Sequence, residues 1–120
     1  SGCGRSDGKY ISLGVYEKAD LIAVIDHCKE RGYQTIGLWG RSMGAATALL
    51  YMAENNAGAV VDSSFSNLNL VIDHLAPELH VPNCLVNYAK YRINNYLQAS
   101  HGFEINDLDI EAAARKCKSR

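Results

Sequence analysis

The residues best placed to do chemistry in this sequence lie in one pentapeptide, Gly40-Arg41-Ser42-Met43-Gly44. A serine hydroxyl is a weak nucleophile until it is held exposed beside a base and near donors that stabilise an oxyanion. A tight turn from a strand into a helix does the holding. It forces the serine into a strained backbone conformation and crowds the positions two residues to either side, which must then be small. Gly40 and Gly44 meet that demand around Ser42. The helix that leaves the turn aims its first amides at the reacting oxygen, so the Met43 N–H is a natural oxyanion donor, with Gly40, Arg41 and Gly44 as the supporting frame. The chemistry implied is attack by Ser42 on an acyl carbonyl.

Because Gly and Ser are common, a bare G-x-S-x-G arises in roughly 4% of chains this long, so the flanking elements decide its meaning. Thr35-Ile-Gly-Leu-Trp39 is a short apolar run bounded by Gly32 and Gly40, which reads as a buried strand entering the turn. Ala45 to Glu54 is rich in Ala and Leu and reads as the helix leaving it. Gly58-Ala-Val-Val-Asp62 is a second short apolar strand. A strand, a helix and a strand at this spacing predict parallel neighbours in one sheet.

The remaining elements follow from periodicity. Residues 1–14 carry four glycines and read as loop. From Tyr16 to Glu30, Leu21, Ile22, Val24, Ile25 and Cys28 recur at helical spacing, and Arg31-Gly32 ends the run. Asn67 to Leu79 places Leu68, Val71, Ile72 and Leu75 on one helical face, with Pro77 disturbing its end. Cys84 to Gln98 predicts a further helix, residues 99–109 read as irregular, and Asp109 is a candidate N-cap for a last helix from Ile110 to Lys118.

Composition narrows the classes. The chain of 120 residues has 48% hydrophobic and 21% charged residues and a formal net charge of −1, the profile of one globular domain with no electrostatic footprint for nucleic acid. Its apolar stretches fall short of a membrane span, and its polar, Gly-rich start does not read as a signal peptide. Cys3, Cys28, Cys84 and Cys117 form no C-x-x-C pair, which argues for reduced thiols packed as small hydrophobes and against a zinc or redox motif. Gly2-Cys3-Gly4-Arg5-Ser6-Asp7 opens like a dinucleotide fingerprint but has Asp7 at the third glycine position. Gly8-Lys9 precedes Tyr10 where a phosphate loop needs Ser or Thr.

Taken in order, Gly2-x-Gly4-x-Ser6-Asp7-Gly8, a helix, Gly-Leu-Trp-Gly-Arg-Ser-Met-Gly-Ala and Val-Val-Asp62-Ser-Ser-Phe65 resemble the middle of an α/β-hydrolase. The sequence is most similar to the eukaryotic branch of Bem46-like and protein depalmitoylase-like serine hydrolases, related to prolyl-oligopeptidase-type peptidases. The resemblance covers nearly the whole chain and extends to Phe103-Glu-Ile-Asn-Asp107-Leu108. It implies an α/β class, three-layer α/β-hydrolase fold, here a central portion with about two parallel strands and flanking helices. It also implies an ester, thioester or peptide substrate, no metal or organic cofactor, and lid-type helices over residues 67–98, with Leu85, Tyr88 and Ile93 lining an acyl pocket. The location implied is cytoplasmic, or membrane-peripheral by family analogy.

In that family the acid and the histidine follow the nucleophile in the chain order Ser, Asp, His. The resemblance places both beyond Arg120, so the expectation is a central piece of a larger enzyme. Asp62 is an alternative acid, because a minority of α/β-hydrolases place theirs at the end of the next strand. Its plainer role is hydrogen bonding in the Asp62-Ser63-Ser64 turn. His27, His74, His80 and His101 match no family position for the base, and Asp107 and Asp109 read as turn and cap residues. The rival expectation is a catalytically incompetent chain that self-associates, because two strands leave sheet edges and apolar faces uncovered.

Overall fold

The computed structural model describes residues 2–8 and 10–117. Ser1, Lys9 and residues 118–120 lie outside the described residues, and with them the Lys118 end of the last helix and the Lys9 of the opening loop. The chain is mixed α/β. Its contacts divide it into two units, residues 1–64 with 110–120, and residues 65–109.

In the first unit the elements are α1 (Val15–Glu30), β1 (Gly37–Arg41), α2 (Met43–Met52) and β2 (Gly58–Asp62), joined by α5 (Ile110–Lys116). The two strands pair in parallel, with Gly37 opposite Gly58, Trp39 opposite Val60 and Arg41 opposite Asp62. The first strand runs two residues later than the 35–39 expected from hydropathy. Pairing with β2, and a bond from the Ser42 N–H to the Asp62 carbonyl at 2.9 Å, carry it through Gly40 and Arg41. The helix after it accordingly starts at Met43 rather than Ala45.

Ile25, Tyr51 and Met52 form the buried cluster of this unit, with Leu21, Ile22, Ile36, Leu38, Ala59 and Cys117 packed against it. Burial raises the Cys117 thiol above its ordinary value, and its sulfur lies 3.4 Å from the Ala113 carbonyl. All four cysteines are free. The alternation along β1 turns Leu38 and Gly40 toward the covered side, leaving Trp39 84% exposed beside Val60 at 66%.

The second unit is α3 (Leu68–Glu78), α4 (Asn83–His101) and a 3₁₀ turn at Ile105–Leu108. Asn67 caps α3 by accepting the Asn69 N–H at 2.8 Å. Pro77 sits in the last turn, where α3 ends one residue later. The stretch expected to be irregular contains structure: α4 continues to His101, and Asn94 Oδ1 accepts the Ile105 N–H at 3.0 Å to start the 3₁₀ turn. Asp107 accepts the Glu104 N–H at 2.7 Å, the turn role read from sequence. Asp109 bridges Asn67 in an isolated antiparallel pair. Ala76, Val86, Phe103, Ile105 and Leu108 are the buried apolar residues of this unit.

Candidate active site

Ser42 stands between β1 and α2 with φ 52° and ψ −117°. A residue with a Cβ rarely occupies that region, and holding one there costs on the order of 1–3 kcal/mol. Two features impose the conformation. The β1–β2 ladder ends on the Ser42 N–H bond to Asp62, which fixes the incoming chain. The Ser42 carbonyl then accepts the Ala46 N–H at 3.1 Å, which commits the outgoing chain to the helix. Between these two anchors the backbone has one residue in which to reverse its course, and Ser42 remains exposed at the apex.

The glycines on either side contribute unequally. A Cβ on Gly40 would lie 2.6 Å from the Ala45 nitrogen and would also strike the Gly44 carbonyl carbon and oxygen. Only glycine lets α2 pass this close to the strand. Among the described residues nothing lies within 4 Å of a Cβ built on Gly44. The expectation that both glycines answer a steric demand is therefore met at Gly40 and not at Gly44, because the close approach is made by the Gly44 backbone and not by its missing side chain.

Met43 is the first residue of α2, so its N–H belongs to the amides that have no partner within the helix. Thr47 Oγ1 donates to the Met43 carbonyl at 2.8 Å and sits buried in the second turn. Ala45, Ala46 and Ala48 are fully or nearly fully buried, which accounts for the small residues after the turn.

Asp62 ends β2 directly across from Arg41, and Arg41 Nε lies 3.6 Å from Asp62 Oδ2 with both side chains well exposed. Asp62 Oδ1 accepts the Ser63 hydroxyl at 2.8 Å, and Ser63 itself has φ 54°. Both carboxylate oxygens are thus engaged by Arg41 and Ser63, the turn role read from sequence.

His27 is the one histidine in the first unit, and it faces Glu30 at 4.0 Å near the end of α1. His74, His80 and His101 belong to the second unit. His101 packs edge-on against Tyr96 there, with ring centroids 5.5 Å apart. Leu85, Tyr88 and Ile93, expected to line an acyl pocket, are exposed on α4, and Arg92 caps the Tyr88 ring at 5.8 Å. Among the described residues no group of three His, Cys, Asp or Glu side chains could hold a metal ion.

Sequence reasoning did not single out a carboxylate behind α2. Glu17 Oε1 accepts the Ser12 N–H at 2.9 Å, and Oε2 accepts the Ser12 hydroxyl at 2.5 Å and the Gly14 N–H at 2.9 Å. Burial pushes this carboxyl up, but the hydrogen bonds from Ser12, from its own backbone amide and from Gly14 outweigh it and hold the group below its ordinary value. The legible signal was a glutamate three residues after Gly14, the N3 half of a capping box.

No helix among the described residues is long and apolar enough to cross a membrane. A 50-residue stretch is 50% identical to a Bacillus subtilis (strain 168) protein described as "Uncharacterized protein YqkD", a match covering 40% of this chain and 16% of that protein. The chain therefore spans well under two thirds of the curated relative that it matches. No family model and no solved structure matches the chain.

Proposed function

We propose that this chain carries the nucleophile of a serine hydrolase built on the α/β-hydrolase plan, acting on an ester, thioester or peptide carbonyl. The observation that carries the reading is the strained Ser42 backbone, φ 52° and ψ −117°, at a strand-to-helix turn that Gly40 alone permits. Proteins hold strain of this kind where it serves a purpose, and a turn exposing a hydroxyl above a helix N-terminus suits acyl transfer.

In this reading Ser42 Oγ forms a bond to the carbonyl carbon as a base takes its proton. The oxygen that gains the negative charge is met by the Met43 N–H, and the leaving group departs with a proton as the acyl-serine forms. Water then repeats the attack and releases the acid. Asp62, occupied by Arg41 and Ser63, is a poor candidate for the orienting acid, and His27 faces Glu30 near the C-terminal end of α1. In this reading the acid and histidine of the relay come from chain outside these 120 residues, in the order Ser, Asp, His that the family resemblance implies. Turnover of a p-nitrophenyl acyl ester by the natural full-length protein tests the assignment: it is abolished by Ser42→Ala and stays within about threefold in Asp62→Asn. A thousandfold loss in Asp62→Asn, the scale on which a triad member acts, would instead make Asp62 the acid.

One observation favours a second reading, in which these residues by themselves associate as a non-catalytic module. Trp39 and Val60 stand side by side on the open face of the sheet, and apolar surface of this kind gains by being covered. The occupant in that reading is a second copy of the chain. Sedimentation as a monomer at high concentration would exclude it.

A further inference from the structure

The Glu17 carboxylate does more than finish a helix. Capping α1 requires one bond, from the Gly14 N–H. The other two come from Ser12, which lies before the cap and is only 3% exposed. The Ser12 hydroxyl also accepts the Tyr16 N–H at 2.6 Å, so the turn from Ser12 to Tyr16 is closed from both sides. Bonds to an ionised carboxylate are roughly twice as strong as neutral ones, and here three converge on one side chain.

That turn rests on α2. Gly14 is buried with φ 133°, and a Cβ built on it would lie 3.0 Å from Leu50 Cδ1 and 3.6 Å from both the backbone nitrogen and Oγ1 of Thr47. Thr47 Oγ1 in turn donates to the Met43 carbonyl. Gly14 thus faces Leu50 and Thr47 of α2 with room for no side chain between, and Thr47 bonds the carbonyl of the residue that follows Ser42.

We propose that Glu17 is a positioning residue for the elbow: by holding the Ser12–Gly14 turn against Thr47, it fixes the first turn of α2 and with it the Met43 N–H. Loss of the carboxylate frees the turn, the Thr47 hydroxyl loses its backing, and the oxyanion amide loses its aim. Misplacement of about 1 Å at such a donor is enough to slow acyl transfer substantially.

The inference rests on the hydrolase reading, so the test has an arm independent of it. Amide exchange at Ala46 and Thr47, the first hydrogen-bonded amides of α2, is compared in wild type, Glu17→Ala and Glu17→Gln, with Tyr51 and Met52 as the internal reference on the same helix. The expected result is about tenfold faster exchange at 46–47 in Glu17→Ala, a smaller effect in Glu17→Gln, and no change at 51–52. Unchanged exchange at 46–47 in both variants would overturn the proposal.

In the activity arm, run on the natural full-length protein, kcat for an acyl ester falls about tenfold in Glu17→Ala with KM held, and Glu17→Gln recovers part of it. Glu30→Gln, at the other end of α1, leaves both constants unchanged. A variant that melts earlier but keeps the wild-type kcat shows Glu17 to be a helix cap alone, and overturns the proposal. A full-length wild type without Ser42-dependent turnover would sink the hydrolase reading, while the exchange arm still decides the link between Glu17 and α2.

Discussion

The Ser42 N–H lies 2.9 Å from the Asp62 carbonyl, so the last rung of the parallel ladder is made by the strained residue itself. The sheet therefore reaches into the turn and holds Ser42 where its own side chain would not settle. Strain sustained by neighbouring pairing can be measured by relieving it.

Glycine tolerates φ 52°, ψ −117°, whereas alanine keeps the serine's Cβ penalty. Ser42→Gly should therefore be more stable than Ser42→Ala by about 1 kcal/mol, although glycine loses more entropy on folding. Denaturant midpoints of the two variants check this. An alanine variant equal to or more stable than the glycine variant would mean that the turn is relaxed.

The two glycines of the pentapeptide should respond in opposite directions. Gly40→Ala drives a methyl into the Gly44 and Ala45 backbone and should cost about 3 kcal/mol or prevent folding, on the scale of overpacking against a part that cannot move. Gly44→Ala, placed in helix α2 with open space, should be neutral or stabilising by up to about 1 kcal/mol. Thermal unfolding of both variants distinguishes them.

Stability should depend on pH through Glu17. Its carboxyl is held below its ordinary value in the folded protein, because the bonds from Ser12 and Gly14 outweigh its partial burial. A group with a depressed folded value contributes stability that is fully present above its unfolded value, and that is lost as pH falls through the folded one. The Tm gap between wild type and Glu17→Gln should accordingly be wide near neutrality and close in acid. A gap that is constant with pH contradicts the assignment.

Trp39 is the single tryptophan and reports on the open sheet face directly. In dilute protein its emission should be that of a solvated indole, readily quenched by acrylamide. If the face is covered by a second copy, emission shifts to the blue as concentration rises, and Trp39→Ser abolishes the shift together with the association.

The parts of the fold written in local pattern were legible. The α1 helix was expected from Tyr16 and begins at Val15, because five apolar positions at helical spacing end on Arg31-Gly32. The second strand keeps its expected bounds, Gly58–Asp62. Features set by tertiary contacts were displaced or hidden. Hydropathy ends β1 at Trp39, whereas pairing with β2 extends it to Arg41. The 3₁₀ turn at Ile105–Leu108 depends on Asn94, eleven residues away from the amide that it accepts, and has no periodicity to reveal it. The same holds for the site. Ser42 and Gly40 announce themselves by type and spacing, but Ser12 and Glu17 are brought together by a turn whose purpose is visible only once α2 lies against it.

The central claim is that Ser42 is a nucleophile, and the most direct measurement is covalent capture by a fluorophosphonate in the natural full-length protein, with the modified peptide mapped by mass spectrometry. The account predicts an adduct on Ser42, none in Ser42→Ala, and protection by an acyl ester substrate. A folded wild-type protein that takes up no label, or that carries it on another residue, would contradict it.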